Sequence, residues 1–230
     1  MEYLKALIPS IHKEGIFFLM IGLVIAILLC FLSTKLAIVM ILINIFIIFF
    51  FRDPERFTVI GENFILSPAD GYVTSIQEAI LPETLGFDGQ KKATRVSIFL
   101  SVFDVHVNRV PADGIIKETY YHHGMFLNAS LDKASVNNER QEILMEMKNG
   151  KQIVFTQIAG LIARRIVCYV KPNQEVKAGE RFGIIRFGSR MDVYLPDGVK
   201  PQVFVGHRVI GGETIIANMD DNKTRTAEIR

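Results

Sequence analysis

Polar positions divide the chain into two regimes. Residues 16–32 are uncharged and almost wholly apolar, Ser33-Thr34-Lys35 interrupts, and 36–51 is apolar again except for Asn44. A spanning helix needs about 20 apolar residues, so each run lies near the lower limit. Together they predict a tight helical hairpin in the membrane. Neither run carries the polar face that a hairpin buried in a soluble domain would show. From Phe57 onward, short stretches rich in Val, Ile, Phe and Tyr alternate with Gly, Pro, Asp and Asn. Predicted strands are 64–66, 71–80, 95–100, 106–109, 114–121, 142–147, 152–159, 165–170, 182–187, 191–194, 202–205 and 214–217. Residues 101–105 read as a short helix or turn, and 127–137 as irregular. Short strands at this spacing predict a mostly β (α+β) domain of barrel or sandwich type. The expected organisation is a membrane-associated helical segment, 1–56, followed by one domain, 57–230.

Composition sharpens this picture at one end. Half of the 230 residues are hydrophobic and the excess sits in the N-terminal runs. A net charge of +2, with no Lys/Arg cluster, argues against nucleic acid as a partner. Lys5 and Lys13 precede the first run, Arg52 and Arg56 follow the second, and Lys35 stands alone at the bend. That bias places both ends of the hairpin, and the domain, on the cytoplasmic side of the cell membrane. A cleaved signal peptide fits poorly, because no small-x-small site follows the long apolar run. Cys30 and Cys168 make neither a disulfide framework nor a metal spacing, which points to a reducing compartment.

Candidate chemistry is scattered. Ser67-Pro68-Ala69-Asp70-Gly71 and Val110-Pro111-Ala112-Asp113-Gly114 share a Pro-Ala-Asp-Gly turn before an apolar strand. Turn geometry alone accounts for one copy. Of five histidines, His106 stands out. On a strand, His106, Asn108 and Val110 share one face, and such polar side chains need partners if buried. His122, His123 and His207 sit beside turn signals, and His12 precedes the first apolar run. Arg164-Arg165 could hold a phosphate or a carboxylate, or simply be a solvated strand end. No metal spacing, Gly-x-Ser-x-Gly elbow or Walker loop is present. Gly188-Ser189, in Phe187-Gly188-Ser189-Arg190, is the only Gly-Ser pair. Alone it reads as a turn.

Taken in order, several stretches resemble the short form of the phosphatidylserine decarboxylases. They are Phe50-Phe51-Arg52-Asp53-Pro54-Glu55-Arg56, the Ser67 to Gly71 turn, Leu100 through Pro111, and Phe126-Leu127-Asn128-Ala129-Ser130. Asn138-Glu139-Arg140, Gly160-Leu161-Ile162-Ala163-Arg164-Arg165 and Phe187-Gly188-Ser189 complete the set. Each is weak, and the ordered set is specific. The resemblance implies a self-processing proenzyme that breaks between Gly188 and Ser189. Residues 1–188 become the large subunit, and Ser189 becomes a pyruvoyl group heading the small one. That group would form a Schiff base with the amine of phosphatidylserine and serve as the electron sink for decarboxylation to phosphatidylethanolamine. Phosphatidylserine in the membrane and the two subunits of one proenzyme are the implied partners, and a homo-oligomer is compatible.

The resemblance also suggests site residues. Asp70 matches an aspartate of an Asp-His-Ser set that drives self-cleavage in longer bacterial members. His106 matches the first histidine of their Asp-Tyr-His-x-Val-His segment, implicated in decarboxylation. Arg109 stands where their second histidine, the cleavage base, would be. Arginine stays protonated and is a poor base. Either His106 serves both steps or another histidine takes the cleavage role. Arg109 and Arg165 are then expected to bind the substrate phosphate or carboxylate. A carrier-like adaptor module is the competing reading, because Val176-Lys177-Ala178-Gly179-Glu180 resembles the turn of lipoyl-type domains.

Overall fold

The computed structural model describes residues 10–129, 134–161, 163, 165–186, 188–221, 223 and 225. Lys5, Ser130, Ile162, Arg164 and Phe187, all used above, lie outside the described residues.

Two helices form the predicted hairpin: α1, Lys13–Leu32, and α2, Thr34–Phe50. The His12 side chain caps α1 by accepting from the Glu14 N–H, and Glu14 places an acid in the first turn, where the helix dipole favours it. Ser33, extended at φ −164°, is the single residue between the helices. Gly15, Gly22 and Ala26 of α1 and Ala37 and Asn44 of α2 are buried where the helices pack. Small residues let two backbones approach closely where the surroundings offer no hydrophobic drive. The remaining surface of both helices exposes large apolar side chains. By length and composition α1 is sufficient to cross a membrane, whereas α2 is shorter, at 17 residues. The base is closed by pairing of β1 (Ser10–Ile11) with β2 (Arg52–Asp53) and by the His12 N–H donating to the Phe51 carbonyl at 2.8 Å.

The remainder is mostly β, as the spacing predicted. Its main sheet has eight antiparallel strands and curls into a half-barrel. In spatial order they are β11 (Glu175–Val176), β7 (Gly114–His122), β8 (Arg140–Met147), β9 (Gln152–Ala159), β13 (Ser189–Tyr194), β5 (Lys92–Leu100), β4 (Gly71–Ile80) and β14 (Arg208–Val209). A second sheet, β10 (Ile166–Cys168), β12 (Arg181–Ile185) and β6 (Val107–Arg109), packs against β8 and β9, and β15 (Ile215–Asn218) pairs with β3 (Phe64–Leu66). A short helix, α3, spans Ala134–Asn137. The main core lies inside the curl, with Ile98, Ile143, Phe155, Phe182, Met191 and Val193 among its members.

Three local expectations change. Residues 127–137, read as irregular, carry the short helix Ala134–Asn137. The predicted strand 202–205 forms turns instead. The Gln202 N–H bonds Ile216 O, but the His207 N–H turns back to Phe204 O, and Pro201 before the stretch has no N–H to extend a ladder. The strand predicted from Met191 begins at Ser189. Ser189 therefore heads a core strand with partners on both sides, Leu100 of β5 and Ala159 of β9.

The strand β13 is buried throughout because both of its faces are covered. Ser189, Met191 and Val193 alternate toward the core. On the other face, Arg190 donates to Ala129 O at 2.9 Å and to Asp192 at 3.0 Å, and also bonds Ser135. Arg95 of β5 donates to the same Ser135 hydroxyl. Removing one partner of a buried ion pair costs about 3–5 kcal/mol, so this network holds β13, and with it Ser189, in register.

Candidate active site

Gly188 enters β13 at φ +67°, a left-handed conformation that glycine adopts without strain. Its carbonyl rests against Gly160, where a Cβ would lie 2.2 Å from Gly188 O. The Ser189 side chain is fully buried, and among the described residues its Oγ has no hydrogen-bond partner. A buried hydroxyl without a partner costs about 1–3 kcal/mol.

His106 is fully buried and reaches the same junction from just before β6. Its Nδ1 lies 2.9 Å from the Asp104 carbonyl. A carbonyl only accepts, so Nδ1 carries the proton and Nε2 presents its lone pair. Nε2 accepts from the Gly188 N–H at 3.3 Å. Burial pushes the imidazole pKa down to about 4, against the pull of the Asp104 carbonyl and carboxylate, and Arg52 adds to the lowering. The ring is therefore a neutral base at physiological pH. Asp104 is itself fixed by the backbone N–H and hydroxyl of Ser101, at 2.9 and 2.7 Å.

The other expected residues are placed as follows. Asp70 accepts two bonds from Arg56, at 2.9 and 2.8 Å, and one from the Gly211 N–H at 2.8 Å. Burial raises its pKa, against the opposing pull of Arg56 and of Gly211. Asp113, in the second Pro-Ala-Asp-Gly turn, likewise takes a backbone N–H, from Ala178 at 2.8 Å. Both aspartates thus fasten a distant loop, and the acidic residue adjoining His106 is Asp104. Arg109 is buried, and its guanidinium donates to Gly179 O at 2.8 Å, Pro54 O at 2.7 Å and Asp53 at 3.2 Å. Its pKa falls to about 10, chiefly through burial and then through Arg181, and it stays charged. Arg165 is exposed, and its carbonyl accepts from the Arg186 N–H at 3.2 Å, beside the strand leading to Gly188. Among the described residues no other histidine contacts the junction: His12 stacks on Tyr169 and His122 bonds Glu142 at 2.8 Å.

Asn108 and Gly160 stand out in the sequence, but no local signal shows that Gly160 meets Gly188, that the Asp104 carbonyl holds His106 or that Gln157 partners Asn108. Asn108 accepts from Gln157 Nε2 at 2.8 Å, leaving the Asn108 amide nitrogen and the Gln157 oxygen buried without partners. Gln157 lies on the same face of the sheet as Ser189, two pairs along, opposite Met191. Beside Gly188 opens a slot of about 320 Å³, walled by Leu100, Val102, Ala129, Gly160 and Leu161, with Ser101 and Asn128 as its polar members. A second cavity of about 330 Å³ lies at the far end of β13, near Tyr194 and Lys151.

The His106 imidazole on the Gly188 N–H, the buried serine that follows and the apolar slot beside them form a candidate catalytic centre at the foot of the apolar hairpin. The sequence comparisons make the family definite. A family model described as phosphatidylserine decarboxylase matches residues 43–217. The chain is 50% identical over 230 residues to the phosphatidylserine decarboxylase proenzyme of Rickettsia bellii (strain OSU 85-389), covering 100% of this chain and 98% of the relative. It is 50% identical over 224 residues to the proenzyme of Rickettsia rickettsii (strain Sheila Smith), covering 97% and 96%. The chain belongs to the phosphatidylserine decarboxylase family.

Proposed function

We propose that this protein is a self-cleaving, pyruvoyl-dependent phosphatidylserine decarboxylase that works at the cytoplasmic face of the cell membrane. The observation that carries the reading is the junction itself. A neutral imidazole aims Nε2 at the Gly188 N–H from 3.3 Å, next to a buried hydroxyl without a partner.

Self-cleavage uses the chain's own groups. His106 Nε2 takes the Ser189 hydroxyl proton as Oγ attacks the Gly188 carbonyl carbon. The Gly188–Ser189 amide bond breaks and an ester forms, the proton passing to the freed amine. Loss of the α-proton of residue 189 expels the Gly188 carboxylate and leaves dehydroalanine. Water uptake and release of ammonia complete the conversion. Because His106 is the only histidine touching the junction among the described residues, it is assigned both the cleavage role and, once it has taken up a proton from the substrate ammonium, the later proton transfer to the decarboxylated carbon.

Residue 189 suits a pyruvoyl group. The Ser189 oxygen is already desolvated, Gly160 leaves room for the junction carbonyl, and the slot opens alongside. Such a group supplies the carbonyl for a Schiff base with the serine amine, and hence the electron sink for decarboxylation. The small subunit, 189–230, stays in place after scission. Its strands β13, β14 and β15 pair with β5 and β9, β4, and β3 of the large subunit.

The pH dependence follows from the His106 environment. With its pKa held at about 4 the base is unprotonated at neutral pH. Cleavage is expected to be independent of pH from about 8 down to about 5 and to fall as pH passes through about 4. Rates measured on newly made proenzyme across this range check it. A midpoint near 6.5, the ordinary histidine value, would contradict the environment described.

Membrane contact extends beyond the hairpin. Arg52, just past α2, donates to Phe49 O and Phe103 O, both at 2.7 Å, so Phe103 sits level with the end of the apolar helices. Its side chain is 66% exposed. Phe103→Asp is expected to lower activity on phosphatidylserine in vesicles by about tenfold, the worth of one inserted aromatic. Activity on a short-chain, detergent-dispersed substrate should change little.

A further inference from the structure

Two contacts reach the junction from the hairpin. Phe50, the last residue of α2, is fully buried, and its ring centre lies 4.1 Å from that of His106, the planes inclined at 35°. That spacing is direct ring contact. Phe50 is itself braced edge-on by Phe51 at 5.0 Å, and both pack with Val105, Val107 and Ile184. At the other helix, Glu14 in the first turn of α1 pairs with Arg186, two residues before Gly188. The Arg186 guanidinium also lies 5.2 Å from the Phe18 ring. One end of the hairpin therefore touches the base, and the other touches the chain that leads into the scissile bond.

We propose that Phe50 is a positioning residue: through its ring, the foot of the hairpin holds the His106 imidazole with Nε2 facing the Gly188–Ser189 junction, so the membrane segment is part of the active site and not only an anchor. This rests on the reading of His106 as the cleavage base.

His106 is held at Nδ1 by the Asp104 carbonyl at 2.9 Å and at Nε2 by the longer Gly188 N–H contact at 3.3 Å, and two bonds in the ring plane leave it free to tilt about the axis that joins them. The Phe50 face closes that freedom. Phe50 also keeps water from the imidazole, on which the Asp104 carbonyl and carboxylate and the Arg52 cation act. Deleting the ring opens a cavity. Water admitted there would let the imidazole charge more easily. Leucine fills most of the volume and keeps the site dry, but offers no flat face.

The test uses full-length chain made by cell-free synthesis with phospholipid vesicles, pulse-labelled and then shifted to buffers from pH 3.5 to 8. Cleavage is followed as the appearance of the two fragments in the folded, protease-resistant fraction. Phe50→Ala is expected to cleave at least about tenfold more slowly at pH 7, with its pH midpoint raised by at least about one unit. Phe50→Leu is expected to be slower by about three- to tenfold, with the wild-type midpoint. If the alanine variant does not fold, the leucine variant alone decides. Wild-type rate and midpoint in the folded fraction of these variants would overturn the positioning role. His106→Ala cleaving at the wild-type rate would instead overturn the assignment of the base, so the two failures are distinguishable.

Discussion

Gly160→Ala is expected to slow self-cleavage by at least about 100-fold while leaving the fold intact. The added methyl would sit 2.2 Å from the Gly188 carbonyl oxygen and 3.3 Å from Ala129 Cβ, and the nearer neighbour is backbone. It can be relieved only by moving the junction, and a displacement of about 1 Å at a reacting centre costs on the order of 100-fold. Gly188→Ala makes a useful contrast. Apart from its chain neighbours, no atom of the described residues lies within 4 Å of its added Cβ, so the penalty is the left-handed φ of +67°, about 1–2 kcal/mol. Fragment appearance on denaturing gels distinguishes the two variants: near-complete arrest for the first, a slower but progressing reaction for the second. Normal cleavage of Gly160→Ala would mean that the junction carbonyl is not held where it is seen.

Ser189→Ala is expected to abolish cleavage and decarboxylation together, because it removes the nucleophile and the source of the pyruvoyl group in one step. It should not destabilise the protein. The hydroxyl is buried without a partner, so replacing it with a methyl relieves a desolvation penalty, and stability should be unchanged or rise by about 1 kcal/mol. Thermal unfolding alongside the cleavage assay checks both halves. A folded, uncleaved and inactive variant is the expected result. Cleavage in its presence would place the nucleophile elsewhere.

The parts of this site legible in the sequence are those that a short local pattern carries. Two apolar runs split by Ser33-Thr34-Lys35 mark the hairpin, and the alternating stretches after Phe57 mark a β domain. Gly188-Ser189 and His106 emerge from ordered motifs. Contacts between distant segments were not legible. Gly160 meets Gly188 across two strands, and Asn108 meets Gln157 between two sheets. Nothing at either position announces the other. The Asp104 contribution is a backbone carbonyl, which every residue possesses. Arg109 shows the converse: its charge suggested a substrate anion, yet its donors go to Asp53, Pro54 and Gly179 within the fold. Phe50 reads as one more apolar residue of a membrane helix, and only the hairpin's docking against Val105 and Val107 brings it onto His106.

The most direct test of the account is the intact mass of the purified protein under denaturing conditions. The account predicts two species, one ending at Gly188 and the other beginning at position 189 and lighter by one ammonia than the serine-led peptide. A single species of 26.0 kDa that persists after incubation with membranes would contradict it.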